Sequence, residues 1–81
     1  MTFRAHVTVT LKDGIADPQG QTIERALPAL GFKGVTDVRV GKHIEVQIDA
    51  VDKEAAEVAL DEMSKAFLAN PVIESYRIDI Q

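Results

Sequence analysis

The 81-residue sequence predicts an α+β fold of order βαββαβ, four antiparallel strands with two helices covering one face. Two observations predict it. Apolar and polar residues alternate near both termini and in the middle of the chain, the period of half-buried strands. Two further stretches repeat apolar residues every three or four positions behind an Asp suited to capping, the period of amphipathic helices.

In the first strand Phe3, Ala5, Val7, Val9 and Leu11 point one way and Arg4, His6, Thr8, Thr10 and Lys12 the other. Lys12-Asp13-Gly14 then opens a loop. Asp17-Pro18 starts a helix, because Asp accepts from free backbone N–H groups and Pro is tolerated in the first turn. Ile23, Ala26, Leu27 and Leu30 share a face, and Gly31 is a suitable stop. Gly20 and Pro28 weaken this helix. Pro28 cannot donate to the Glu24 carbonyl, so an irregular last turn is expected.

Val35 to Val40 is expected to form the second strand, with Val38 and Val40 inward. Gly41-Lys42 suits a type II′ turn into a third strand, where Ile44, Val46 and Ile48 alternate with His43, Glu45, Gln47 and Asp49. Asp52 caps a second helix running to about Leu68, with Ala56, Leu60, Met63 and Phe67 as its core stripe. Asn70-Pro71 ends it, and Val72 to Ile80 forms the fourth strand with Tyr76, Ile78 and Ile80 on one side. The whole is a ferredoxin-like arrangement, and residues 1–81 are read as a single domain.

The hydrophobic share is 46% against 27% charged residues, which favours a packed chain over a disordered one. The net charge of -4 argues against nucleic acid, whose phosphates attract basic surfaces. No apolar run reaches the ~20 residues that span a bilayer, and the N-terminus lacks a signal-peptide pattern. The chain is therefore expected to be soluble and unprocessed. Without cysteine there is no disulfide, thiol nucleophile or thiolate metal site, which suits a cytoplasmic location. A metallochaperone of this fold would need a Cys-x-x-Cys loop. An RNA-recognition domain would need aromatic residues on the open sheet face, where His, Thr, Glu and Gln stand.

His6 and His43 are acid–base candidates, but no His-x-x-x-His or similar ligand spacing exists and no serine stands beside either in sequence, so both read as surface or interface residues. Glu57 and Asp61 share a helix face, as a cation ligand pair would. The i, i+4 pairs Lys53–Glu57 and Asp61–Lys65 favour a solvated surface instead. Arg39, Lys42 and His43 gather positive groups around the expected hairpin, fit to meet a phosphate or carboxylate of a partner. Arg39 is expected to face outward and Lys42 to project from the tip.

Three strings carry a family resemblance. Asp17-Pro18-Gln19-Gly20 follows the Leu11-Lys12 strand end. Leu30-Gly31-Phe32 precedes Val38-Arg39-Val40-Gly41-Lys42 and Glu45. Leu68-Ala69-Asn70-Pro71-Val72-Ile73-Glu74 precedes Tyr76. Together they resemble the PurS family, the small subunit of phosphoribosylformylglycinamidine synthase, over nearly the whole chain. Pro28 departs from the family pattern. The resemblance implies a dimeric, non-catalytic component with no cofactor or metal of its own. It would help join a PurL-type synthase subunit, which binds ATP, magnesium and formylglycinamide ribonucleotide, to a PurQ-type glutaminase subunit. It carries no catalytic residue over. Asp17, Pro18, Gln19, Gly20, Arg39, Gly41 and Lys42 are the candidate partner-contact residues. A small-molecule regulatory domain of ACT type shares the element order and is the alternative.

Overall fold

The structure, a computed structural model, describes residues 1–81. Its elements are β1 (Thr2–Leu11), α1 (Pro18–Ala29), β2 (Gly41–Asp49), α2 (Lys53–Met63), a π-helical turn (Ser64–Leu68) and β3 (Glu74–Ile80). The sheet has three strands in the order β2-β1-β3, both pairings antiparallel. The four-stranded expectation is thus corrected: residues 35–40 form no strand, and no hairpin turn sits at Gly41-Lys42.

The cause lies in the backbone of that segment and in α1. Gly34 and Asp37 both adopt positive φ, +87° and +56°, which interrupts an extended run. The N–H groups a ladder would use are taken by side chains near or on α1. Val38 donates to Glu24 Oε1 at 3.1 Å and Val40 to Asp17 Oδ2 at 2.7 Å. Gly41 is the first residue of β2, paired with Thr10.

β1 is central. Val7 faces Ile44 on one side and Ile78 on the other, and Ala5 faces Val46 and Ile80. Ala5, Val7, Val9, Ala56 and Leu60 are fully buried, so the core lies between this face and α2. The expected α2 stripe holds for Ala56 and Leu60 and then fails: Met63 is 37% exposed and Phe67 88%. A π turn holds more residues than an α turn, which rotates the stripe. The Ala69 N–H closes the turn on the Ser64 carbonyl at 2.9 Å. Ser64 and Ala69 are buried in place of Met63 and Phe67, with Leu68 half-buried.

α1 starts as expected, with Asp17 capping and Pro18 in the first turn. It ends in a Schellman motif: Phe32 donates to the Leu27 carbonyl and Gly31, at φ +98°, to that of Pro28. The last turn tightens to a three-residue bond from Leu30 to Leu27, the irregularity Pro28 imposes. Gly20 is the one buried residue of α1, and the helix makes little contact with any other regular element. The molecule is accordingly long and thin, 51 × 26 × 14 Å.

Candidate functional site

The first two sequence strings meet in space. Asp17 is buried, and its carboxylate bridges two elements: Oδ1 accepts from the Gly20 N–H at 3.0 Å and Oδ2 from the Val40 N–H. These two bonds, that to Val40 foremost, hold its pKa below the usual carboxylate value, with the Arg39 charge adding to them. Gly20 packs so closely that a Cβ there would overlap the Val38 carbonyl oxygen and lie 2.7 Å from Asp17 Oδ2. Arg39 emerges at the surface but its guanidinium turns back over the β1 end. Nη2 donates to the carbonyls of Leu11 and Lys12 at 3.1 and 3.2 Å, and Nη1 to that of Ile15 at 3.4 Å.

Lys42 does not project from a hairpin tip. It lies in β2 opposite Val9, and its Nζ reaches Glu74 Oε2 at 3.9 Å. The candidate contact residues are therefore one neighbourhood for Asp17, Gly20, Arg39 and Gly41, with Pro18 and Gln19 exposed on its rim. Gln19, Thr22, Ile23 and Val40 line a shallow, mainly apolar depression of about 350 Å³ beside it.

The third string folds on itself. Asn70 Oδ1 accepts from the Val72 N–H, Glu74 Oε1 accepts from the Asn70 N–H, and Lys12 Nζ donates to the Pro71 carbonyl at 2.8 Å. All three strings thus converge on the end of β1. Asp61 and Lys65 pair at 3.0 Å as their spacing predicts. Asp61 also accepts from the Tyr76 hydroxyl at 2.5 Å, which lowers its pKa and raises that of Tyr76.

The sheet face away from α2 holds a constellation that short sequence spacing conceals. His6 Nδ1 lies 3.0 Å from His43 Nε2, and Glu45 Oε1 lies 3.8 Å from the first and 3.6 Å from the second. β1 pairs with β2 so that His6 faces Glu45 and Thr8 faces His43. Only the register between strands 37 residues apart brings them together. The polar alternation in both strands was the available signal.

Comparison with known proteins gives one consistent result. The family model described as PurS, phosphoribosylformylglycinamidine (FGAM) synthase, matches residues 4–81. The PurS subunit of Methanocaldococcus jannaschii is 39% identical over 79 residues, covering 98% of this chain and 95% of that relative. That of Mycobacterium leprae is 47% identical over 77 residues, covering 93% and 91%. Among solved structures, a chain of PurLQS from Thermotoga maritima superposes with a TM-score of 0.93 at 31% identity, covering 100% of this chain and 99% of that one. The M. jannaschii PurS crystal structure, described as one of the subunits of formylglycinamide ribonucleotide amidotransferase in the purine biosynthetic pathway, gives 0.87 at 40% identity, covering 98% and 95%.

Proposed function

The chain belongs to the PurS family of phosphoribosylformylglycinamidine synthase, and from that premise we propose that it is the small, non-catalytic subunit of that enzyme in purine biosynthesis. It acts as a single PurS-like unit, associating with itself and joining a PurL-type synthase subunit to a PurQ-type glutaminase subunit in the cytoplasm. ATP, magnesium and formylglycinamide ribonucleotide belong to the synthase partner. Family membership also displaces the ACT-like alternative. The observation that carries the reading is the full-length match to PurS chains, one of them from a structure named PurLQS.

The shape of the chain supports the reading. Ile23, Leu30 and Phe32 are 41%, 70% and 59% exposed along and just after α1, apolar surface that an isolated small domain gains by burying against a partner. Both outer strands of the sheet leave an edge open for pairing. The neighbourhood of Asp17, Pro18, Gln19, Gly20, Arg39 and Gly41, with Lys42 next to Gly41 on β2 beside it, is the proposed contact region, and the depression at Gln19 and Ile23 is its outward surface. No helix is long and apolar enough to cross a membrane.

The test is reconstitution. The chain should co-elute with its PurL- and PurQ-type partners and restore glutamine-dependent synthesis of formylglycinamidine ribonucleotide. Full glutamine-dependent activity in its absence would overturn the reading. An Ile23→Asp change should abolish co-elution, and unchanged assembly would remove the depression from the contact region.

A further inference from the structure

We propose that His6, His43 and Glu45 form a zinc-class divalent metal site that clamps β2 to β1 on the open face of the sheet. Two imidazoles and one carboxylate are the donor set of three-ligand zinc sites that keep a fourth position for water. The three donor atoms already lie together, and the two rings, now hydrogen-bonded to each other, must turn their nitrogens towards a common ion to ligate it. The donor atoms Nδ1 of His6, Nε2 of His43 and Oε1 of Glu45 form a triangle with sides of 3.0, 3.6 and 3.8 Å. A circle through its corners has a radius of about 2.0 Å, so one point lies at zinc–imidazole bonding distance from all three atoms. The sides also bracket the edge of a tetrahedral zinc site, about 3.4 Å for bonds of about 2.1 Å.

The site rests on the sheet rather than on loops. His6 stands on the central strand, and both other ligands come from its neighbour in fixed antiparallel register. The His6 side chain is 20% exposed, while His43 and Glu45 are 56% and 66% exposed, so the metal position is open to solvent on one side. His6 Nε2 is buried without a hydrogen-bond partner. Coordination at Nδ1 fixes the tautomer with the proton on Nε2, a buried donor for which the chain supplies no acceptor, so the site binds at the cost of that unpaired group. Without a cation, the two rings can share only one hydrogen bond, and the Glu45 charge lies just outside hydrogen-bond range of both.

The experiment uses the full chain, free of any histidine tag, titrated with zinc by calorimetry, with cobalt(II) as spectroscopic probe. One equivalent of zinc per chain should bind, and cobalt should give the intense visible bands of a tetrahedral ion. Zinc at a hundredfold excess over its Kd should raise Tm by roughly 10–20 °C, reversed by EDTA, since a ligand of the native state alone stabilises it by mass action. His43→Ala and Glu45→Gln alter exposed side chains, and circular dichroism verifies that both fold. Each should weaken zinc at least tenfold and remove the cobalt bands. Absence of binding at millimolar zinc, or binding that survives both changes, would overturn the proposal.

Discussion

Asp17 and Val40 are 23 residues apart in sequence and joined by a 2.7 Å hydrogen bond from the Val40 N–H to the carboxylate. The same carboxylate caps α1 through Gly20, so one side chain ties the start of the helix to the entry of β2. Its pKa is lowered from 3.8 by these bonds. A depressed carboxylate contributes stability that is present above its unfolded pKa and lost as pH falls through the folded one. Thermal melts from pH 7 to pH 2 should therefore show a decline beginning below about pH 4. Asp17→Asn should be less stable at pH 7 and should show a shallower acid limb. Parallel acid limbs in the two proteins would contradict the linkage.

Arg39 and Lys42 differ in what they hold, although both stand in one string. Arg39→Ala removes three contacts to carbonyls and should cost about 1–2 kcal/mol. Lys42→Ala loses a loose 3.9 Å ion pair with Glu74 and should stay within about 1 kcal/mol. Urea denaturation of the two single variants measures this. An Arg39→Ala chain as stable as the parent would free the guanidinium for a partner, whereas a destabilised one makes it primarily a fold residue.

The strands β1, β2 and β3, both helix starts and the Gly31 stop were legible because each depends on residues close together in sequence. The missing strand was not. Val38 and Val40 carry the strand alternation, yet their N–H groups are claimed by Glu24 and Asp17, partners that no local pattern reveals. Gly41 looked like a turn glycine because it precedes an alternating segment; its role is close approach to β1. The PurS strings were legible as strings. That Asp17 and Arg39 serve one another's neighbourhood required the fold. The His6–His43 contact likewise needed the β1–β2 register: Glu45 stands two residues from His43 on the same strand, but His6 is 37 residues from His43 in sequence.

The π turn separates two residues that a regular helix would place on one face. Leu60 is fully buried and Phe67 is 88% exposed. Leu60→Ala should cost about 2–5 kcal/mol through lost burial and the cavity left behind. Phe67→Ala, examined at concentrations where the chain is monomeric, should stay within about 0.5 kcal/mol. Chemical denaturation of both decides it. A comparable loss at Phe67 would mean that the helix continues in α geometry and seats this ring in the core.

Gly41 and Gly14 are both glycines for backbone reasons, but the reasons differ, and one substitution tells them apart. Gly14 has φ +84° with nothing near the place of a Cβ, so only its left-handed backbone excludes other residues. Asn tolerates that conformation better than other side chains, so Gly14→Asn should cost about 1 kcal/mol or less. At Gly41 the conformation is an ordinary strand, but an added Cβ would overlap the Val9 carbonyl oxygen and lie 2.9 Å from Thr10 Cγ2. Backbone must move to admit it, at the ladder end where Gly41 pairs with Thr10. Gly41→Ala and Gly41→Asn should both cost about 1–3 kcal/mol, the range for forced overpacking, with no advantage to Asn. Amide hydrogen exchange should also show faster exchange at the first ladder bonds of β2 in the Gly41 variants and not in Gly14→Asn. A Gly41→Ala chain with native stability and unchanged exchange would show that β2 begins further along the chain and that the close approach to Val9 is not required.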